Sequence, residues 1–196
     1  MDNIDKIVKD WTGCTSCDLH EDRTNQVWFR FIDNEKYTIV SPFECMIIGE
    51  APGKQEDEDG EPFVGASGKL LDRLIEDSGI NRGRAFITNT VLCRPPGNRN
   101  PKWKEMKACW GRLKRTIKAI QPRVIVTAGR LPGQFLLANK ELTAKEMVGK
   151  TYRLNLDDFK CFLVPIYHPA YLLRNRSLTL ERETINRLKI AKSLCQ

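Results

Sequence analysis

A three-layer α/β/α sandwich around a central four-stranded parallel sheet is the fold class the sequence predicts. Two observations carry it. Four short apolar runs, Met46 to Ile48, Ala85 to Val91, Val124 to Ala128 and Cys161 to Pro165, read as strands buried on both faces rather than alternating in and out. Between them lie stretches with helical spacing, such as Leu70, Leu71, Leu74 and Ile75, and strands alternating with helices call for a parallel sheet covered on both sides. With 196 residues, 41% of them hydrophobic, the chain is long enough for one full core, and residues 1–196 are expected to form a single domain.

The elements follow in order. Ile4 to Trp11 is predicted as a short amphipathic helix closed by Gly13, and Cys14 and Cys17 follow it as a C-x-x-C. Trp28 to Val40 mixes aromatic and β-branched residues with charges and is expected to be irregular or edge structure. The first core strand ends at Gly49. A glycine-rich acidic loop succeeds it, carrying Glu50, Pro52, Gly53, the acids Glu56 to Asp59, and Phe63 between Pro62 and Val64. Ser67 and Gly68 open the next helix, and Gly79 to Asn81 turn the chain into the second strand. Cys93 to Pro101 must be loop, because its prolines fix φ and donate no hydrogen bond. Trp103 to Ile120 is a basic helix containing Cys109, and the third strand leads to a helix from Leu131 to Asn139. The fourth strand is followed by His168 to Arg174, read as a loop, and a last helix from about Leu178.

Charge narrows the class of ligand. Lys and Arg number 32 against 25 Asp and Glu, a formal +7, and the two signs are segregated. Acids gather between Glu50 and Glu61, whereas cations dominate Arg94 to Lys118 and return at Arg174 and Arg176. A carboxylate-rich pocket beside a basic rim suits an enzyme that acts on nucleic acid. No apolar run approaches membrane-spanning length, and the N-terminus lacks the features of a signal peptide. The expectation is a cytoplasmic monomer that does not engage membranes and reaches the nucleoid through DNA. In that compartment seven cysteines do not read as a disulfide framework, and regularly spaced ones point to a metal.

Three strands end in polar loops: Gly49–Glu50 onward, Asn89 to Arg99, and His168 to Arg174. Parallel strands bring such loops to one edge of the sheet, so residues distant in sequence can share a pocket. Taken singly, each has an ordinary structural explanation: Asn89 as a turn residue, His168 as packing before a proline, Glu56 as a solvated charge. The case rests on their coincidence at successive strand ends.

Three motifs in order, Gly-Glu-Ala-Pro-Gly with Glu56-Asp57 and Pro-Phe-Val-Gly, Thr-Asn-Thr-Val-Leu-Cys-Arg-Pro-Pro-Gly-Asn-Arg, and His-Pro-Ala-Tyr-Leu-Leu-Arg, resemble family 4 uracil-DNA glycosylases from Cys14 to Arg174. The resemblance implies an enzyme that flips uracil out of single- or double-stranded DNA and hydrolyses its N-glycosidic bond. Each assigned role is chemically intelligible. An extruded base needs a face to stack on and groups that read its edge. Phe63 offers the face, and the Asn89 amide supplies the donor and acceptor that uracil O4 and N3–H require. By resemblance, His168 donates to uracil O2 as negative charge develops there. Glu56, with Asp57 close behind, orients water and counters charge on the sugar. Glu50 guards against the thymine methyl, and backbone N–H groups around Ala51 and Gly53 hold the base.

The resemblance further implies a 4Fe–4S cluster on Cys14, Cys17, Cys93 and Cys109, a set that four-cysteine zinc would also fit. Arg94, Arg99 and Lys102 are expected on a phosphate-binding rim. Leu172, Leu173 and Arg174 resemble the wedge that fills the gap left by the flipped base. Two alternatives stay open on sequence alone: a non-enzymatic module that binds uracil-containing DNA or a partner, and a glycosylase for another base such as hypoxanthine.

Overall fold

The computed structural model describes residues 3–31 and 45–195, so the part of the Trp28–Val40 reading from residue 32 onward lies outside the described residues. In chain order the helices and strands are α1 (Ile4–Trp11), β1 (Phe29–Phe31), β2 (Cys45–Gly49), α2 (Lys54–Asp59), α3 (Ala66–Ser78), β3 (Ala85–Asn89) and α4 (Trp103–Ile120). Then come β4 (Val124–Ala128), α5 (Arg130–Leu136), α6 (Ala144–Val148), β5 (Tyr152–Leu156), β6 (Phe159–Ile166), α7 (Pro169–Asn175) and α8 (Leu178–Leu194).

The described strands form one sheet in the order β1-β3-β2-β4-β6-β5. Its four middle strands are parallel, as expected, but the sheet is mixed: β1 and β5 add antiparallel edges to β3 and β6. The sequence reading missed β5. Its signal was present, because Leu154 and Leu156 alternate with the exposed Arg153 and Asn155, and Asp157 turns the hairpin at φ +54°. Pro165 sits inside β6 without breaking it. β5 stops opposite Leu163, so Pro165 has no strand to pair with on that side.

Successive residues of each middle strand face opposite layers. Ile47, Ile87, Val126 and Val164 pack with Leu71 and Leu74 of α3 and Leu188 of α8. Met46, Ile48, Phe86, Ile125 and Leu163 pack with Ile7 of α1 and Leu113 and Ile117 of α4. Both faces are therefore dry, which is why these strands read as continuous apolar runs. Among the described residues no helix is long and apolar enough to cross a membrane.

The connection reverses at β2, whose neighbours β3 and β4 lie on opposite sides of it. Loops after β2 and β4 therefore part company there and leave a crevice at the carboxyl ends of the strands. Two stretches read as loops prove to be helical at this edge: Lys54–Asp59 and Pro169–Asn175. Both are single short helices whose first residues are polar or proline, a pattern too brief for periodicity to register.

Candidate active site and cysteine centre

A cavity of about 1100 Å³ opens at the switch point, and Glu50, Ala51, Gly53, Glu56, Phe63, Asn89 and His168 all line it. Two glycines let these groups meet. A Cβ on Gly49 would lie 2.3 Å from Asn89 Oδ1 and 2.5 Å from Phe63 Cζ. A Cβ on Gly68 would lie 1.6 Å from the Phe63 carbonyl oxygen. Phe63 itself is left-handed, φ +57°, a conformation that costs a non-glycine residue about 1–3 kcal/mol and persists only where its surroundings impose it. The α3 N-terminus pressed against its carbonyl supplies that constraint. The ring is thereby fixed at the pocket wall, near-parallel to the His168 imidazole at 28° with centroids 6.2 Å apart.

Asn89 is the last residue of β3 and only 2% exposed, yet among the described residues its side-chain amide makes no hydrogen bond. A buried amide facing a cavity with both functions free is a group waiting for a polar partner. Glu56 is held on both oxygens. Oε2 accepts from Gly53 N–H at 3.1 Å, and Oε1 accepts from Gly65 N–H at 3.0 Å. The Gly53 amide is thus committed to Glu56 rather than free for a ligand.

His168 caps α7. Its Nδ1 accepts from Ala170 N–H at 3.1 Å, and burial, with Arg174 nearby, lowers its pKa from 6.5 to about 4. At neutral pH the ring is uncharged and carries its proton on Nε2. Glu50 moves the other way. Burial raises its carboxyl above the ordinary value, against Leu131 N–H and the charges of Arg130 and Arg174.

Two sequence expectations need correction here. Asp57 is buried and turned away from the cavity. Its carboxylate accepts from the backbone N–H groups of Thr24 and Asn25 at 3.1–3.2 Å, tying the N-terminal segment to α2. Adjacent helix residues point about 100° apart, and here that turn carries Asp57 to the Thr24 side while Glu56 faces the cavity. Leu172 is also internal, 3% exposed in the core beneath α7, whereas Leu173 stands 41% exposed. Of the two leucines, only Leu173 reaches solvent, beside the exposed Arg174.

The rim divides similarly. Lys102 is exposed, and Arg94 is half-buried with Nε donating to Asn98 Oδ1 at 2.6 Å. Arg99 lines the cavity but forks onto buried Glu105 at 2.7 and 2.9 Å, so its first role is to fix the α4 entrance. Sequence reading overlooked Arg130, which follows β4 into the cavity wall; its signal was its place at the end of the third core strand.

Cys14, Cys17, Cys93 and Cys109 come together around one small void bordered by Trp11, His20 and Leu92. Burial raises the Cys17 and Cys93 thiols; like charge adds to it, from Cys109 and Cys14 at Cys17 and from Cys109 and Cys17 at Cys93. Positive charge answers them: Arg23 Nη1 donates to Cys93 Sγ at 3.3 Å, and the Arg112 guanidinium interacts with Cys109. Four thiols with two cationic neighbours fit a centre of net negative charge such as a thiolate-ligated cluster. Among the described residues no three Cys, His, Asp or Glu side chains gather as ligands of a single metal ion would.

Comparison with known proteins places this geometry. The family model described as the uracil DNA glycosylase superfamily matches residues 42–189. The type-4 uracil-DNA glycosylase of Archaeoglobus fulgidus is 41% identical over 187 residues, covering 94% of this chain and 90% of that protein. Those of Thermotoga maritima and Saccharolobus solfataricus are 40% and 41% identical, covering 98% and 89% of this chain and 93% and 79% of theirs. With three quarters of its length matched by that model, the chain belongs to the uracil DNA glycosylase superfamily.

Proposed function

We propose that this protein is a type-4 uracil-DNA glycosylase, which hydrolyses the N-glycosidic bond of uracil in DNA and leaves an abasic site. The observation that carries the reading is the convergence of Phe63, Asn89, Glu56 and a tautomerically fixed His168 on one cavity.

The flipped base stacks on Phe63, and the free Asn89 amide pairs with O4 and N3–H. As the C1′–N1 bond breaks, its electron pair passes into the base and charge gathers on O2. The Nε2 proton of His168 donates there, a preformed dipole directed at charge that exists only as the bond breaks. Glu56 accepts a hydrogen bond from the attacking water and opposes the positive charge on the sugar. Water oxygen bonds to C1′, and its released proton is balanced by the proton that uracil takes up. Glu50 closes the pocket where a thymine methyl would enter.

The thiols of Cys14, Cys17, Cys93 and Cys109 would hold a 4Fe–4S cluster. Bound there, it supplies a structural staple that joins the N-terminal segment to the proline-rich loop and α4. The exposed charges of Lys102 and Arg174, with Arg94, form the phosphate rim, and Leu173 is the wedge.

The test is base release from uracil-containing oligonucleotides, single- and double-stranded, under single-turnover conditions. The expected result is free uracil and an alkali-labile site, with His168→Ala slower by roughly a hundredfold or more at nearly unchanged DNA affinity. Binding without release would identify a non-enzymatic module, and release of hypoxanthine in preference to uracil would identify a different base specificity.

A further inference from the structure

Arg112 lies in the middle of α4 and is 1% exposed, a cation enclosed by the protein. Among the described residues no carboxylate pairs with it, and its Nε has no hydrogen-bond partner. Such a charge requires a compensating anion, because burying it alone is expensive. Cys109 lies one helical turn before Arg112 on the same face of α4, and both are buried. The thiols of Cys109, Cys93 and Cys14, three of the four residues of the cysteine centre, are the ionisable groups that bear on it. At its other edge, Arg112 Nη2 donates to the Asn89 carbonyl at 2.9 Å and the Thr90 carbonyl at 3.2 Å. The Thr90 hydroxyl in turn donates to the carbonyl of Glu50. One side chain thus spans the distance between the cysteines and the strand end that presents the base-reading amide.

We infer that Arg112 is the counter-cation of the cysteine centre and the positioning residue for Asn89, so that an occupied centre fixes the register of the pocket that reads the base. The inference rests on the reading of this protein as a cluster-bearing glycosylase. The negative charge of a thiolate-ligated centre holds the guanidinium, and the guanidinium holds the Asn89 and Thr90 carbonyls. An empty centre leaves the cation without its anion and loosens that strand end first. Uracil recognition is affected through Asn89, with no contact between Arg112 and the base.

The experiment compares the holoprotein with Arg112→Gln, which removes the charge, and Arg112→Lys, which keeps it. Arg112→Gln is expected to lower the midpoint potential of the bound cluster, because a nearby positive charge favours the more reduced state. The same variant is expected to reduce kcat for uracil release about ten- to a hundredfold with KM little changed, the usual scale for a residue that orients a ligand from behind. Arg112→Lys should recover the potential and part of the rate. A wild-type potential and rate in Arg112→Gln would overturn the inference, as would an Arg112→Lys variant as slow as Arg112→Gln. If Arg112→Gln does not fold, wild-type protein stripped of iron by a chelator decides the matter through its amide NMR spectrum. Shifts confined to Asn89, Thr90 and the cysteine loops support the inference. Unmoved Asn89 signals overturn it, and so does loss of the α8 signals, since the centre would then hold the whole fold. Colourless wild-type protein that releases no uracil fails the underlying reading; coloured, active protein with a silent Arg112→Gln fails only the inference.

Discussion

The backbone N–H of Ala170 donates to Nδ1 of His168 across 3.1 Å, so the helix that His168 caps also decides where its proton sits. Protonating Nδ1 would break that cap and place a charge in a buried site near Arg174.

The cap has a measurable pH signature. The folded pKa of about 4 lies below the ordinary 6.5, so the unfolded chain takes up the proton first as pH falls. The stability associated with neutral His168 is therefore complete above about pH 6.5 and is lost between 6.5 and 4, by at most about 3 kcal/mol. His168→Asn keeps an acceptor for Ala170 N–H but cannot titrate. Urea denaturation from pH 7 to 4 should show the variant losing less stability than the wild type across that interval. Parallel curves would mean that the imidazole is solvated and its proton position is not fixed by the cap.

Glu56 and Asp57 are neighbours in sequence and opposites in role. Glu56→Gln turns one of the two oxygens that accept from Gly53 and Gly65 N–H into a donor, so it should cost about 1–3 kcal/mol of stability. Where folded, it should slow uracil release strongly, because the charge facing the sugar is lost. Asp57→Asn removes an ionic acceptor from the N–H groups of Thr24 and Asn25 and should cost about 1.5–3 kcal/mol of stability. Its release rate, measured where the variant is folded, should match the wild type. A slow but stable Asp57→Asn would return that residue to the chemistry.

Leu172 and Leu173 separate in the same manner. Leu172→Ala empties a core position and should destabilise by about 2–5 kcal/mol. Leu173→Ala should melt like the wild type and instead lose activity on double-stranded uracil DNA, where the flipped base leaves a gap to fill, more than on single strands. Equal activity of Leu173→Ala on both substrates would remove the wedge from the mechanism.

These pairs mark how far the sequence could be read. The four parallel strands were legible because both of their faces are apolar, and the pocket followed because Glu50, Asn89 and His168 end three of them. Adjacent acids or leucines look equivalent along a chain, however, and only helical geometry sends Asp57 to Thr24 while Glu56 faces the cavity. The short helices α2 and α7 look like loops in the sequence for a related reason. Each is made at its start by a cap, Gly53 or His168, rather than by an apolar stripe. Arg112 was invisible for the opposite reason: it falls on the buried stripe of α4, three residues after Cys109 and four before Thr116, but in a basic helix an arginine at such a position reads as surface.

Asn89 offers the sharpest test of the pocket, because its role follows from counting donors and acceptors. Uracil presents an acceptor at O4 and a donor at N3, which one amide satisfies in full. Cytosine presents a donor at N4 and an acceptor at N3. Set against Asn89, it leaves two buried polar groups unpaired, at about 1–3 kcal/mol each. The amide cannot evade the mismatch by moving, since Gly49 and Phe63 crowd it and the backbone carbonyl of Asn89 is held by Arg112. Asn89→Asp replaces the amide donor with a second acceptor. Uracil O4 then faces a carboxylate oxygen and should be released far more slowly, while the cytosine amino group gains an acceptor. The expected outcome is loss of most uracil release and a shift in the ratio of cytosine to uracil release towards cytosine, read from paired oligonucleotides that differ only in the target base. Wild-type uracil release with unchanged selectivity would show that Asn89 does not read the edge, and the reading would then fall to backbone groups beside Ala51.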